Sequence, residues 1–244
     1  MKNILIIITE SYGNYGRALI ASLLKHQADV NIYLYLINAS KEFIDEITLQ
    51  VGNMPVVVRE RNDWSLSTDP VKWAGKSEVI CYSANIRGEV IRELLTVDKL
   101  DNLVYIDADS VLIDNIDGAF DLQDKCHIMF HFRPKERDIG NILSGIIFLN
   151  NRPVTLEFLD EYCKRIREEN ILNWYSDQKA LNKTYEYFKL REDIVFFNLS
   201  KKYIDWNYSA ESKIWAGKGR SKKRKEFRKI QKTYLREFFD RQST

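Results

Sequence analysis

The chain is poor in the residues that staple, break or loosen a fold: its 244 residues include 3 Cys, 4 Pro and 10 Gly. Cys81, Cys126 and Cys163 are odd in number and widely spaced and form no Cys-x-x-Cys pair. That pattern excludes a disulfide framework and a zinc site of ordinary spacing, and it fits reduced thiols in the cytoplasm. Sparse Pro and Gly, with no low-complexity segment or internal repeat, leave no linker that would separate independent domains. Long apolar runs are missing too. The longest, residues 4–8, is far too short to span a bilayer, and only Lys2 precedes it, so the start does not read as a signal peptide.

What is present is the composition of a large α/β domain. Hydrophobic residues make up 45% and charged residues 30%, enough to bury a sizeable core. The net charge of +2 conceals an asymmetry: residues 211–244 hold 12 Lys and Arg against 4 Asp and Glu, a net of +8. The remaining 210 residues hold 25 basic against 31 acidic groups, a net of −6. A basic tail on an acidic body points to an anionic partner for that tail.

Strand-like and helix-like stretches alternate. Residues 2–9 form a continuous apolar run, as in a parallel strand buried on both faces. A polar loop follows, Glu10-Ser-Tyr-Gly-Asn-Tyr15, then a helix over 17–26 with apolar Leu19, Ile20, Leu23 and Leu24. Strands are expected at 30–37, 55–59, 103–106, 126–132, 142–149 and 194–198. Helices are expected at 41–50 behind an N-capping Ser40, at 77–95, 154–169 and 177–182. The segment 62–75, with Trp64, Pro70 and Trp73, is irregular. This alternation predicts a mostly parallel sheet with right-handed crossovers and flanking helices.

The stretch Leu103-Val-Tyr-Ile-Asp107-Ala-Asp109 delivers two carboxylates, two positions apart, at the end of a strand. The plainer interpretation is an Asp-rich turn. With no Lys or Arg within three residues, however, the pair repels itself unless a cation sits between the carboxylates. Mg²⁺ or Mn²⁺, a hard ion that bridges carboxylates to substrate phosphates, meets that need.

With these segments in order, the chain resembles nucleotide-sugar-dependent glycosyltransferases of the GT-A fold, in the family that contains glycogenin and the bacterial lipopolysaccharide galactosyl- and glucosyltransferases. The first loop, Ile8-Thr9-Glu-Ser-Tyr12-Gly-Asn-Tyr15, is similar to the family's nucleotide-holding loop, and Tyr12 and Tyr15 are candidates to stack on a base. Arg87 is similar to the arginine that precedes the Asp-x-Asp strand. Leu143-Ser144-Gly145-Ile-Ile-Phe-Leu-Asn150 resembles the Asn-Ser-Gly segment beside the donor sugar, with Leu143 where Asn is usual. Asp177-Gln178-Lys-Ala-Leu-Asn182 resembles the helix start beside the anomeric carbon, although an Asp at a helix start is also an N-cap candidate. The resemblance implies Asp107 and Asp109 as metal ligands, Asp177 and Gln178 as catalytic groups, and a UDP-sugar donor carrying a hexose or N-acetylhexosamine. Retention of anomeric configuration is also implied.

The family usually closes with His-x-x-Gly-x-x-Lys, in which the His binds metal and the Lys contacts the diphosphate. Here the run is Ala216-Gly-Lys218-Gly219-Arg-Ser-Lys222: Gly219 and Lys222 match, and Ala216 replaces the His. Lys218, Arg220 and Lys222 are expected at the diphosphate, and His131 is the best-placed substitute ligand. The site then binds metal weakly, recruits another ligand, or belongs to an inactive homologue that binds nucleotide sugar. A nucleotidyltransferase is the other enzyme reading, against which stands a first loop without Lys or Arg. The acceptor is left open among glycan, lipid-linked and protein substrates, and nucleic acid is not an expected partner. Residues 1–212 form the transferase domain in this reading, and 213–244 a basic C-terminal motif and tail. Phe227, Ile230, Tyr234 and Phe238 recur at helical spacing in that tail. They fit either an interfacial helix on the anionic inner face of a membrane or a helix packed on the protein's own body.

Overall fold

A computed structural model describes residues 1–66, 70–71, 76–134, 140–169, 173–219 and 221–242. Trp73, the charged stretch 135–138 and Arg220 lie outside the described residues. In chain order the elements are β1 (Lys2–Thr9), α1 (Gly13–His26), β2 (Val30–Ile37), α2 (Lys41–Val51), β3 (Val56–Arg61), β4 (Pro70–Val71) and β5 (Lys76–Ser77). Next come α3 (Glu78–Asn85), α4 (Arg87–Thr96), β6 (Asn102–Ile106), β7 (Ser110–Leu112), α5 (Asp117–Gln123), β8 (Ile128–Phe132) and β9 (Ile142–Asn150). The chain continues through α6 (Pro153–Arg167), α7 (Ser176–Phe188), β10 (Phe196–Asn198), β11 (Ile214–Ala216) and α8 (Lys225–Asp240). They fall into two compact units. One comprises Met1–Asn62, Ile106–Phe120 and Ser200–Thr244, the other Asp63–Tyr105 and Asp121–Leu199.

The first unit carries the parallel ladder β1-β2-β3, with Lys2 opposite Val30 and Ile32 opposite Val56. Ile4, Leu5, Ile6 and Leu34 are fully buried, as the unbroken apolar runs require of strands covered on both faces. Ser40 caps α2, its hydroxyl accepting from Phe43 N at 3.2 Å. The Arg17 guanidinium reaches from α1 to Gln50 and Glu46 on α2 and lies over the Phe43 ring, joining the two helices.

α8 packs along α1. Phe227 and Phe238 are fully buried, Tyr234 bonds His26 at 2.9 Å, and Lys25 pairs with Glu237. Of the two roles open to this helix, the structure shows packing on the protein's own body. Phe227, Tyr234 and Phe238 of the apolar stripe are buried and Ile230 is half-buried, while Phe239 and most of the basic residues are exposed.

The second unit has strand order β10-β8-β9-β6, with β10 parallel and β9 antiparallel to β8. The helix expected over 77–95 is two helices that break at Ile86. There the Asn85 side chain takes the Cys81 carbonyl at 2.7 Å, competing with the backbone ladder, and also bonds Asn173 O. α4 lies close to α6: a Cβ on Gly88 would meet the Tyr162 ring at 2.8 Å. Asn182 on α7 accepts from the backbone of Asn141 and Ile142 and so fixes the start of β9. Cys81, Cys126 and Cys163 are buried and form no disulfide among the described residues, and burial pushes Cys126 up to about 11 and Cys163 up to about 12, which leaves those two inert.

Candidate functional site

In the first unit the Asp pair sits on a tight turn. Ser110 N donates to Asp107 O at 3.1 Å, and the chain then enters β7. β7 is held from two sides. Leu112 N donates to the buried Ser22 hydroxyl of α1, and β11 pairs antiparallel with Trp215 opposite Val111 and Ala216 opposite Ser110. That last register places the motif 216–222 beside the Asp turn.

Gly217 N donates to Asp109 O at 2.6 Å, and a Cβ at Gly217 would come within 2.4 Å of that same oxygen. Only glycine permits this approach. Gly219 follows in the left-handed region, with φ of 57°. The Trp215 indole donates to Ser221 Oγ at 3.1 Å, Ser221 donates to Trp206 O, and Phe227 packs edge-on against Trp215. Buried Asp205 holds the preceding loop by accepting from Asn207 N and from the hydroxyls of Ser209 and Ser212. Burial alone would raise its carboxyl, but these bonds keep it below the ordinary range.

This scaffold brings two ammonium groups onto the two carboxylates. Lys218 pairs with Asp107, and Lys222 lies 3.5 Å from Asp109. The side chains of Asp107 and Asp109 are 13% and 14% exposed. Burial, and then the neighbouring Asp107, push the Asp109 carboxyl up, while Lys218 and Lys222 pull it back without cancelling the rise. Burial alone would lower Lys222, but Asp109 and Tyr12 hold it above its ordinary value.

Tyr12 and Tyr15 pack together with centroids 5.5 Å apart. Lys222 lies 5.4 Å and 5.9 Å from the two ring centroids and bonds Tyr12 Oη at 3.3 Å. Thr9 is buried, its hydroxyl 3.0 Å from Ser11. Thus Thr9, Tyr12, Tyr15, Asp107, Asp109, Lys218, Gly219 and Lys222 all belong to this unit.

The second unit contains a different cluster. Arg87 is buried; it bonds Ala84 O and Ser144 O, stacks over Tyr105 at 4.6 Å, and lies 3.4 Å from Asp177. Asp177 is the second residue of α7, two positions after Tyr175 at the N-cap, and its carboxylate pairs with Arg87. Gln178 is 9% exposed, and its buried amide nitrogen has no hydrogen-bond partner among the described residues. A buried donor in that state costs about 1–3 kcal/mol, which a bound acceptor would recover. Ser144 and Gly145 lie buried in β9.

The expected substitute ligand, His131, belongs to the second unit. His131 Nδ1 donates to Leu199 O at 2.7 Å, and His127 accepts from Val195 N, so both serve strand packing in the second unit. Among the described residues no group of three or more His, Cys, Asp or Glu could hold an ion. The partnerships Lys218–Asp107, Lys222–Asp109 and Arg87–Asp177 were not foreseen. They join residues about a hundred apart with no local pattern to announce them.

No family model matches the chain, and no curated protein matches it by sequence. Solved structures do. Glycosyltransferase GlyE of Streptococcus pneumoniae TIGR4 superposes with a TM-score of 0.62 at 14% identity, covering 98% of this chain and 63% of GlyE. The chain has the GT-A fold. An active-site mutant of LgtC gives 0.62 at 13% identity, covering 96% of this chain and 95% of that one. The bifunctional glycosyltransferase WbbM gives 0.60 at 14% identity, with all of this chain matching 52% of WbbM. The chain thus spans under two thirds of GlyE and about half of WbbM.

The Arg87–Asp177 pair is open to direct test. Arg87→Met removes the cation beside a buried carboxylate and should cost roughly 3–5 kcal/mol in denaturant unfolding. Adding Asp177→Asn should return most of that loss. A double variant no more stable than Arg87→Met would show that the charge pair is not what organises this corner.

Proposed function

We propose that the chain transfers a hexose or N-acetylhexosamine from a UDP-sugar to an acceptor, with retention, and that Asp107 and Asp109 hold Mn²⁺ or Mg²⁺. The observation that carries this reading is the convergence, in one unit, of a carboxylate pair, two lysines and two tyrosines at the end of a buried strand. Two oxygen ligands on one turn suit a hard ion, which commonly takes one or two protein carboxylates and fills its other positions with phosphate oxygens and water. The ion would supply positive charge against which a nucleoside diphosphate departs. Lys218 and Lys222 would bind phosphate oxygens, the open space at Gly219 leaves room for them, and Tyr12 and Tyr15 offer faces to a base. In the second unit, the unmet Gln178 amide supports a polar ligand there. The donor sugar is the one the resemblance implies for Gln178, Asp177, Ser144 and Gly145, with Arg87 holding Asp177 in place.

The test is calorimetry of UDP binding with and without Mn²⁺. Metal-dependent binding should be present in the wild type and absent in Asp109→Asn, whose amide keeps the shape and loses the charge. Equal affinity in both proteins would take the ion out of the account.

No helix among the described residues is long and apolar enough to cross a membrane. The outward face of α8 nevertheless presents exposed Lys225, Arg228, Lys229, Lys232 and Arg236. We propose that this face meets an anionic leaflet without inserting, each charge contributing about 1 kcal/mol near the surface. In vesicle flotation, Lys229→Glu with Lys232→Glu and Arg236→Glu should abolish capture by anionic vesicles. A wild type indifferent to lipid charge would leave α8 a packing helix only.

A further inference from the structure

Building on the nucleotide-sugar reading, we propose that Lys218 and Lys222 are exchangeable occupants of the Asp107–Asp109 site. Their ammonium groups hold the carboxylates in the free protein and pass to phosphate oxygens when a divalent ion and a nucleoside diphosphate enter together. Ion and nucleotide therefore bind as a coupled pair.

The charges lead to this result. Two carboxylates and two ammonium groups form a neutral cluster, with Lys218 on Asp107 and Lys222 on Asp109. A divalent ion arriving alone must displace both ammonium groups from their partners and then sit beside them unscreened. A diphosphate arriving alone must draw the lysines away and leave two largely buried carboxylates facing each other, at the cost of an uncompensated buried charge. When both arrive, the ion replaces the lysines on the carboxylates and the lysines meet the phosphates, so no group loses its counter-charge. Each penalty is removed by the other ligand, which is a coupling free energy and must be reciprocal.

The side chains are suited to move. Lys218 and Lys222 are 27% and 25% exposed, and each is a flexible stem with three rotatable donors. Between them Gly219 has nothing within 4 Å of where a Cβ would stand. The faces of Tyr12 and Tyr15 already flank the Lys222 ammonium where it meets Asp109, and Tyr12 Oη bonds it at 3.3 Å. Ala216 sharpens the effect, because without an imidazole at that position an ion has only the two lysine-held carboxylates from this motif.

The experiment is titration of Mn²⁺ alone, UDP alone and each in the presence of the other, by calorimetry and by the Mn²⁺ electron paramagnetic resonance signal. The proteins are the wild type, Lys218→Met, Lys222→Met and Lys218→Arg, each checked for cooperative unfolding. In the wild type, Mn²⁺ and UDP should tighten one another by the same factor, in the roughly 5- to 150-fold range of such couplings. Each Met variant should bind Mn²⁺ alone at least about fivefold more tightly than the wild type and show a smaller coupling factor. Lys218→Arg should stay near the wild type. As a control, Lys213→Met, which removes a charge paired with Asp114, should change Mn²⁺ affinity by less than about twofold because that charge is screened. Met variants that take up Mn²⁺ alone no better than the wild type would overturn the exchange, whether or not UDP binds. A wild type that binds no UDP even with Mn²⁺ would overturn the nucleotide-sugar reading and the coupling with it.

Discussion

Two carboxylates on one tight turn at the end of a strand cannot stand without positive charge beside them. Burial makes the demand stronger: Asp109 is largely removed from water and is pushed toward its neutral form, and Asp107 pushes it further. Lys218 and Lys222 meet that demand in the protein as it stands. Much of the first unit acts to deliver those two ammonium groups. β11 pairs with β7, Gly217 lies against Asp109 O, and the Trp215–Ser221–Trp206 chain of hydrogen bonds fixes the turn that carries Lys222. α8, with Phe227 edge-on to Trp215, closes the back of this motif and is itself seated on α1.

The second unit solves a similar problem with different parts. Arg87 is buried and meets two carbonyls, an aromatic face and a carboxylate at once, so Asp177 has a cation beside it in a dry setting. Such a pair contributes little net stability over apolar packing, yet it fixes one arrangement of groups. The unmet amide of Gln178 beside it is the kind of cost a fold retains where a ligand supplies the missing acceptor.

Much of this was legible in the sequence because it is local. The apolar run of β1, the Ser40 cap and the strand ending at Asp107 follow from neighbouring residues, and the described structure contains each of them. The helix break at Ile86 was not legible, because it arises from an Asn85 side chain that also reaches Asn173. Three-residue β11 was hidden as well, since so short a strand is defined by its partner β7 and not by its own pattern. The amphipathic spacing of α8 was plain, but what its apolar face covers is a tertiary fact. At the Asp pair the need for a cation could be read from the residues, while the lysines that answer it lie about a hundred positions away.

The central claim is that these groups serve transfer from a nucleotide sugar. A screen of donor hydrolysis across nucleotide sugars with Mn²⁺ tests it most directly. The account predicts nucleotide release from a UDP-sugar by the wild type and none above background with Asp109→Asn. Release from no nucleotide sugar, or release that Asp109→Asn leaves unchanged, would contradict it.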